Sequence, residues 1–319
     1  MKTISVVIPV YNGENYIESC IEELSRQNIS NFEIIFVDDG STDRTAEILR
    51  SVREKFDNVI IYAQDNAGAG MARNLGMSKA TGEYIAFLDV DDKYANDNVL
   101  KMLYEKAKEN KALICGGSFI IESDKKNQQD NKYIFDKEGY INFEDYQFDY
   151  GFMRYIYSRK LIEDNKIIFP QFKVYEDPVF LARAMIAAEK FYAVPDNVYK
   201  YSGSHQKGLN LEKTIDYLSG LTINLELSAN KNLGKLHKYN FERLINTGCY
   251  YAEKNWHIGD KNLFYALLQA NKAVQVELLK KEGINLSKQY VIPTLNIIWN
   301  ASCKYQRIRK KIFFWKKVH

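Results

Sequence analysis

The first 120 residues alternate short apolar runs with segments of helical periodicity, and no other feature constrains the fold as strongly. The apolar runs have the length of strands, and the segments between them repeat apolar residues every three or four positions. Strands that alternate with helices form βαβ units, so the sequence predicts an α/β fold with a largely parallel sheet. The apolar runs are Ile4–Val10, Ile34–Val37, Val59–Tyr62, Tyr84–Leu88 and Leu113–Ile121, and the helical segments are 14–27, 42–55, 68–80 and 97–110.

The chain beyond residue 121 follows a different pattern. Residues 122–131 are polar, which predicts an exposed loop or hairpin, and an aromatic-rich region then extends to about residue 210. Beyond that point nearly every segment has helical periodicity. We therefore expect a first domain over residues 1–211 and a helical region over residues 212–319. The helical segments predicted in the second half are Leu211–Leu233, Tyr239–Trp256, Lys261–Glu282 and Pro293–Lys317.

Composition and cysteine spacing exclude several classes of protein. With 46% hydrophobic residues, the chain is globular rather than disordered. The four cysteines are scattered and form no CxxC pair, which argues against a zinc ribbon or a secreted disulfide framework and favours a cytoplasmic protein. Met1-Lys2-Thr3 leads directly into the first apolar run, so we expect no signal peptide. The sequence has no run of about 18 apolar residues, so no membrane span is predicted.

Positive charge is concentrated at the end of the chain. The protein has 44 Lys and Arg residues against 41 Asp and Glu residues, for a net charge of +3. Residues 304–319 contain seven of the cations and no acid, so the rest of the chain is net acidic. Apolar side chains recur there at helical spacing, which predicts a basic amphipathic helix suited to an anionic membrane surface. The alternative is a helix that packs its apolar stripe on the protein and exposes its lysines.

Two clusters of acidic residues follow two of the predicted strands. Asp38-Asp39 comes directly after one strand, and the segment 89–92, Asp-Val-Asp-Asp, comes directly after another. Ligands of open α/β sheets bind at the carboxyl ends of the strands, so both clusters are expected to face one crevice. Carboxylates two residues apart suit a hard cation such as Mg²⁺ or Mn²⁺, which also binds phosphate oxygens. The alternative is that these Asp residues only shape turns and cap helices.

A glycine-containing segment follows the third predicted strand. Gly68 and Gly70 permit close backbone approach to a ligand where a helix starts. Arg73 lies one turn inside that helix, within reach of a diphosphate or a base. The segment is not a dinucleotide fingerprint, because GxGxxG requires glycine at position 73. The sequence contains no GxxxxGK[ST] motif, so no P-loop is predicted.

Four blocks of the sequence, in their order and spacing, resemble glycosyltransferase family 2. They are 5–12 (SVVIPVYN), 37–43 (VDDGSTD), 66–76 (NAGAGMARNLG) and 82–92 (GEYIAFLDVDD). The resemblance is strong over residues 1–95, weaker to about residue 205 and absent beyond. It implies the GT-A fold, a nucleotide-binding α/β/α sandwich with a mixed sheet. The donor half would be about 1–95 and the acceptor half about 96–211, followed by the helical C-terminal region.

The resemblance also implies residues that bind a nucleotide-sugar donor. Pro9 and Tyr11 would border the nucleoside, and Asp39, with Asp38 as a second candidate, would bind uracil. Arg73 would lie beside the nucleotide. The full donor-binding set implied in this way is Pro9, Tyr11, Asp38, Asp39, Asn66, Gly70, Arg73, Asp89, Asp91 and Asp92.

A divalent cation, Mn²⁺ or Mg²⁺, is part of the same implication. Asp89 would lie near the ribose, Asp91 would hold the metal that bridges the diphosphate, and Asp92 would shape the sugar pocket. His205 is the further metal candidate, since related enzymes often have a basic residue here near the metal or diphosphate. Its spacing departs from the more usual Tyr-Arg-x-His pattern, and a solvated loop histidine is the alternative.

The pair Glu176-Asp177 resembles the Glu-Asp motif in which the aspartate is the general base. A carboxylate suits that role, because an acceptor hydroxyl is a poor nucleophile until its proton is removed. Glu176 would lie on the acceptor side of Asp177. The alternative is that both acids, followed by Pro178, only stabilise the N-terminus of a helix over 178–188.

Together these features predict an inverting, metal-dependent glycosyltransferase that transfers a sugar from a UDP-sugar to an acceptor hydroxyl. The expected acceptor is a lipid-linked glycan intermediate of capsule, exopolysaccharide or lipopolysaccharide synthesis. A catalytically inactive nucleotide-sugar-binding module is the alternative. A sugar nucleotidyltransferase is less favoured, because Pro9-Val10-Tyr11-Asn12-Gly13 is not the Gly-rich, basic loop that such an enzyme needs after its first strand.

The expected location is the cytoplasm, peripheral to the inner face of the membrane through residues 304–319. No nucleic-acid partner is expected. The helical region from residue 212 is expected to bind the acceptor, the membrane or a second copy of the chain in a homo-oligomer.

Overall fold

The computed structural model of the protein describes residues 2–121, 133–203, 208–257, 260–288, 290–301 and 304. The polar segment predicted as a loop, His205 and nearly all of the basic segment 304–319 lie outside the described residues. The chain divides into two compact units, residues 1–206 and residues 207–319.

The N-terminal unit is built on one nine-stranded sheet with the order β3-β2-β1-β4-β8-β6-β9-β5, and β7 pairs with β9. β1, β2, β3 and β4 are parallel to one another, whereas β8 is antiparallel to both β4 and β6. The expected α/β fold with a mixed sheet is therefore confirmed. The strands are β1 Ile4–Val10, β2 Glu33–Asp38, β3 Val59–Ala63, β4 Tyr84–Phe87, β5 Lys93–Tyr94, β6 Ile114–Ile121, β7 Gly139–Asn142, β8 Tyr155–Ser158 and β9 Lys190–Tyr201.

Helices cover both faces of this sheet. On one face α1, α2 and α4 pack their apolar side chains on the strands, with Ile17, Leu49 and Leu103 in a common core. On the other face α3 lies so close to β1 that a Cβ atom at Gly76 would be 2.4 Å from Val7 Cγ1. The result is an α/β/α sandwich. The helices are α1 Ile17–Ser25, α2 Thr45–Lys55, α3 Ala69–Lys79, α4 Val99–Asn110, α5 Phe143–Tyr146, α6 Arg159–Asp164 and α7 Glu176–Ala188.

The aromatic-rich region forms the part of this unit that sequence periodicity did not resolve. It supplies strands β7, β8 and β9, the 3-10 turn Phe152–Arg154 and helix α7. Its rings pack on the sheet around Phe87, which contacts Phe152, Phe169 and Phe180 at centroid distances of 5.3–5.5 Å. The N-terminus of α7 lies beside α3, because a Cβ atom at Gly70 in α3 would be 3.0 Å from Glu176 Cγ in α7.

The C-terminal unit is helical as expected, but two of the predicted helices are interrupted. The segment 239–256 contains the end of one helix, a π-helical turn at Leu244–Gly248 and a second helix. The segment 261–282 breaks at Val274 and Gln275, which are extended. The helices are α8 Leu211–Asn230, α9 Gly234–Arg243, α10 Cys249–Lys254, α11 Lys261–Ala273 and α12 Val276–Lys281, followed by helical residues 293–301. Within the described ranges, no helix has the length and apolar character needed to cross a membrane.

Candidate active site

The carboxyl ends of the parallel strands meet at one edge of the sheet, as the register shows. Val10 at the end of β1 lies beside Asp38 of β2, and Asp38 lies beside Ala63 of β3. Pro9 is buried in β1, whereas the Tyr11 side chain that follows the strand is 53% exposed. An exposed ring beside buried acids at a strand edge is able to cover a planar ligand.

The second acid of the first cluster, Asp39, accepts hydrogen bonds from neighbouring residues of the protein. Its Oδ1 atom accepts hydrogen bonds from Gln64 Nε2 at 2.7 Å and from the Ala67 amide at 2.9 Å, and its Oδ2 atom accepts one from the Gly68 amide at 2.8 Å. Only 3% of Asp39 is exposed. A carboxylate has about four lone-pair positions, so one remains for a ligand. Asp39 therefore fixes the loop that leads into α3.

Glycine is required where this loop meets β2. Gly40 has φ +73°, and a Cβ atom there would lie 2.8 Å from the Asn66 amide nitrogen. The exposed Asn66 side chain donates from Nδ2 to the Asp39 carbonyl at 2.9 Å. Asn66 thus supports the loop backbone, and the sequence-predicted residues Asp39, Asn66 and Gly70 belong to one continuous structure around the start of α3.

The second acid cluster follows β4 as a tight turn anchored by β9. Asp92 is 2% exposed and accepts from the Tyr199 hydroxyl at 2.8 Å and from the Ser202 amide at 2.8 Å. Burial, followed by the nearby Asp89 and Asp91 charges, raises the pKa of Asp92 to about 6. The Tyr199 hydroxyl also accepts from the Asp89 amide at 3.2 Å. Asp92 therefore serves to fix this turn, and it leaves Asp89 and Asp91 as the partly exposed acids.

Arg73 connects the second acid cluster with Glu176 and Asp177. Its Nη2 atom donates to Asp89 Oδ1 at 2.7 Å, and its Nη1 atom lies 3.5 Å from Glu176 Oε1 and 3.5 Å from Asp177 Oδ1. Residues more than 100 positions apart in sequence are thereby brought together. The Arg73 side chain is 5% exposed, so it lies inside the protein.

Glu176 and Asp177 are the first two residues of helix α7, which begins two residues before the start at 178 that the helix-cap interpretation gave, and they also line the site. Tyr175 before them has φ 69°, a conformation that non-glycine residues seldom adopt. Burial raises the pKa of both carboxyls, the negative neighbour adds to this for Glu176, and Arg73 opposes it for both. The Asp177 side chain stays 34% exposed, while its Oδ1 atom is buried without a hydrogen-bond partner in the described structure.

The fit of a divalent cation rests on the chemistry of these carboxylates. In the described part of the chain, no group of three or more His, Cys, Asp or Glu side chains is arranged to hold a metal ion. Asp89 and Asp91 are the partly exposed oxygen donors, and Asp89 Oδ1 is already bound by Arg73. Mg²⁺ is commonly held by one or two carboxylates together with substrate phosphates and water rather than by a cage of protein ligands. The residues fit a cation of that kind, completed by a diphosphate.

Three residues of the site escaped sequence reasoning. Gln64 binds Asp39, and Tyr199 and Ser202 bind Asp92. Gln64 directly follows β3, as the two acid clusters follow their strands, so its position at the end of a strand could have predicted it as a site residue. Tyr199 and Ser202 come from the end of β9, about 110 residues from Asp92, and no local pattern indicates that pairing.

The mixed sheet has helices on both faces and acid pairs at the carboxyl ends of its parallel strands. This arrangement is the GT-A fold. The chain belongs to glycosyltransferase family 2, because the model of that family, described as "Glycosyl transferase family 2", matches residues 5–176. The resemblance inferred from the four sequence blocks is therefore confirmed.

Relatives and solved structures agree with this assignment. The chain is 32% identical over 208 residues to the uncharacterized glycosyltransferase EpsJ of Bacillus subtilis, a match that spans 62% of this chain and 60% of that protein. It is 33% identical over 210 residues to the poly(ribitol-phosphate) beta-glucosyltransferase of Bacillus spizizenii, over 62% of this chain and 32% of that protein. The crystal structure of S. aureus TarS 1-349 in complex with UDP-GlcNAc has a TM-score of 0.70 at 22% identity, covering 87% of this chain and 83% of that one.

Proposed function

We propose that this protein is an inverting, divalent-cation-dependent glycosyltransferase that transfers a sugar from a UDP-sugar to an acceptor hydroxyl. The observation that carries the proposal is the cluster around Arg73. One guanidinium contacts Asp89 of the acid pair after β4 and also Asp177 at the start of α7. A donor-side carboxylate and a candidate base therefore occupy one site, as direct displacement on a bound donor requires.

Asp177 is the residue proposed to act as general base. Its carboxylate is open on one side, since a third of the side chain is exposed, while its buried Oδ1 atom lies 3.5 Å from the Arg73 guanidinium. Burial raises its pKa, and a base works best when its pKa lies near the operating pH. Asp177 would accept the proton of the acceptor hydroxyl while that oxygen attacks the anomeric carbon. A single displacement of this kind inverts the anomeric centre.

Asp91 and Asp89 are the residues proposed to hold the cation, with His205 as a further candidate outside the described residues. When bound, Mn²⁺ or Mg²⁺ offsets the charge that develops on the departing diphosphate. Asp38, Asp39, Pro9 and Tyr11 are proposed to border the uridine. The identity of a UDP donor is supported by the TarS neighbour, whose title records UDP-GlcNAc.

The test is UDP release from a panel of UDP-sugars, with Mn²⁺ and with chelator, in the absence of acceptor. We expect slow, metal-dependent hydrolysis of one donor, which would identify the sugar at the same time. Hydrolysis that persists in chelator would contradict the metal dependence. GDP- and dTDP-sugars form the second panel.

Two other results would replace the proposal. Calorimetric binding of a UDP-sugar without any turnover, even with acceptor glycans present, would identify a nucleotide-sugar-binding module. Formation of a nucleotide-sugar from a nucleoside triphosphate and a sugar phosphate would identify a nucleotidyltransferase.

For the acceptor, we propose a lipid-linked glycan of bacterial surface-polysaccharide synthesis, at the inner face of the membrane. The relative that makes a poly(ribitol-phosphate) glucoside supports the polymer class. The cationic segment 304–319 supports the membrane surface, as do Ile297 and Trp299 in the preceding helix, which are 57% and 55% exposed. Tryptophan beside lysines is typical of interfacial segments.

Sedimentation with vesicles tests the membrane proposal. A chain ending at residue 303 should stay in solution with vesicles that contain anionic lipid, while hydrolysing soluble donor at the wild-type rate. The matched control replaces the seven cations of 304–319 by Gln and keeps its aromatic residues. Its release in the same assay would assign binding to charge. Unchanged sedimentation of the shortened chain would limit the segment to a structural role.

A further inference from the structure

The guanidinium of Arg73 is enclosed on all the sides that the structure describes. Its ring neighbours are Phe152 and Phe169, whose centroids lie 4.8 Å and 5.5 Å from Arg73 Cζ. Its remaining contacts are three carboxylates, those of Asp89, Glu176 and Asp177. With 4% of the residue exposed, Arg73 has almost no surface to offer a nucleotide. Its environment is that of a buried structural cation within a reactive site.

The guanidinium divides its donors between two elements. Nη2 serves Asp89, which follows strand β4, and Nη1 serves Glu176 and Asp177, which open helix α7. Asp89 is bound at 2.7 Å, whereas both contacts of Nη1 are at 3.5 Å. The tight bond therefore anchors Arg73 to the turn after β4. The looser contacts attract the two acids of α7, and the buried Asp177 Oδ1 atom faces Nη1 at 3.5 Å without forming a hydrogen bond in the described chain.

Close packing makes this geometry rigid. A Cβ atom at Gly70 would lie 3.0 Å from Glu176 Cγ and 3.2 Å from Phe169 Cβ, so α3 and the start of α7 touch directly. Buried like charges would otherwise repel each other, because Glu176 and Asp177 are adjacent and Asp89 is nearby. Among the described residues Arg73 is the one cation in contact with these three acids, and removing it would leave uncompensated buried charge, which strongly disfavours the observed arrangement.

We propose that Arg73 is a positioning residue that fixes Asp177 relative to Asp89, and that it does not bind the donor. The proposal rests on the function proposed above, since it assigns Asp177 to the acceptor and Asp89 to the donor side. Arg73 acts through these two carboxylates: it holds the base at a set distance from the anomeric carbon of the bound donor. A lysine cannot replace it, because one ammonium point charge does not reproduce a planar fork with separate donors for two elements.

The test compares Arg73→Lys with wild type in two measurements, the Kd for UDP in Mn²⁺ by calorimetry and kcat for sugar transfer. A misplacement of about 1 Å costs roughly 100-fold in rate, so we expect kcat of R73K to fall by about that factor. The Kd for UDP should change by less than about threefold, because R73K keeps a cation beside Asp89 and removes no proposed contact with the donor. Arg159→Lys, on helix α6 with partners Gly82 and Glu163, is the matched control and should keep the wild-type kcat and Kd.

A double mutant tests whether Arg73 acts through Asp177. In an Asp177→Asn background, R73K should lower the residual rate by less than about threefold, because groups that act as a unit are not additive. Circular dichroism and thermal unfolding establish that each variant is folded. If R73K does not fold, the double variant R73Q/E176Q removes one charge of each sign and takes its place, with the same expected result.

The outcomes separate the two proposals. A Kd for UDP weakened tenfold or more with kcat unchanged would make Arg73 a donor ligand and overturn the positioning role. Wild-type kcat in R73K, or a full additive loss in the Asp177→Asn background, would overturn it as well. If the wild-type protein neither binds nor turns over any nucleotide-sugar, the proposed function fails first and the positioning role fails with it.

Discussion

Two buried polar clusters, one in each unit of this protein, are organised differently. In the N-terminal unit, Arg73 faces three carboxylates, and the buried atoms Arg73 Nε and Asp177 Oδ1 have no hydrogen-bond partner among the described residues. In the C-terminal unit, His237 is fully buried, and both of its ring nitrogens are hydrogen-bonded. One arrangement is charged and incompletely satisfied, whereas the other is neutral and paired.

The pairing of His237 also fixes its protonation state. The Gln275 amide donates to Nε2 at 2.9 Å, so Nε2 carries no proton, and Nδ1 then donates to Ser228 Oγ at 2.8 Å. The Ser228 hydroxyl in turn donates a hydrogen bond to the Leu225 carbonyl at 2.9 Å. Such a network stabilises packing and offers no free group for chemistry. We therefore expect substitutions around Arg73 to change turnover and substitutions around His237 to change stability.

Asp177→Asn tests this contrast most severely. We expect turnover to fall about 10³-fold with donor binding retained, because the amide cannot accept the acceptor's proton. The melting temperature should stay level or rise, since burial disfavours the charged carboxylate that is removed. The measurements are kcat, the Kd for UDP-sugar and thermal unfolding, with Asp164→Asn at an exposed position as the control. Activity comparable to wild type would remove Asp177 from the role of base.

Acidification tests the other side of the comparison. Burial lowers the pKa of His237 from 6.5 to about 4. The unfolded chain takes up a proton near pH 6.5, but the folded chain does so only near pH 4, so stability is lost as pH falls between these values. At about 1.4 kcal/mol per pKa unit, the loss approaches roughly 3 kcal/mol. The measurement is the free energy of unfolding at pH 7 and pH 4.5.

Other groups titrate in the same pH window, and a variant isolates the contribution of His237. His237→Gln should be less stable than wild type at pH 7, yet it should lose less stability on acidification. An equal loss in both proteins would assign the pH dependence to groups elsewhere and leave the neutral network without its expected effect.

Asp91→Ala sharpens the distinction within the charged site. Asp92 accepts hydrogen bonds from the Tyr199 hydroxyl and the Ser202 amide, so Asp91 is the acid proposed to hold the cation. We expect the Mn²⁺-dependent affinity for UDP to fall roughly 10- to 100-fold, since even outer partners of metal ligands contribute that much. Calorimetry with and without Mn²⁺ measures this, and Asp57→Ala, at an exposed site, is the control. An unchanged affinity would contradict the assignment.

Ser228→Ala should give the smallest effect and complete the comparison. It leaves the buried Nδ1 proton of His237 without its acceptor, at a cost of about 1–3 kcal/mol in the free energy of unfolding. Turnover should be unchanged. Ser219→Ala is the matched control, because that hydroxyl donates only to the Ile215 carbonyl within the same helix and is partly exposed. A drop in kcat with wild-type stability would contradict the structural role expected for the His237 network.

Local sequence patterns were sufficient to predict the elements of residues 4–121 except the short strand β5. The five apolar runs up to residue 121 match β1, β2, β3, β4 and β6 to within about one residue at each end, and each predicted helix between them is present. Such elements are readable because apolar periodicity and strand-end acids act over a few neighbouring residues. The acid clusters could be placed on one edge for the same reason, since parallel strands share the direction of their carboxyl ends.

The aromatic-rich region and the helix breaks were decided by contacts between distant residues. The segment 261–282 has continuous helical periodicity, but it breaks at Gln275, whose amide binds His237, 38 residues earlier. A tertiary hydrogen bond to a buried group outweighs the small free energy of one more helical residue.

The sequence by itself determined the parallel strands, the acids at their ends and, through its motifs, the family. Only the tertiary structure decided what each polar side chain does: Asp39 binds its own loop, Asp92 binds β9, and Arg73 is buried between Asp89 and Asp177. The physical reason is that these roles depend on burial and on which groups lie within about 3.5 Å of each carboxylate, and several of those groups are more than 100 positions away in sequence.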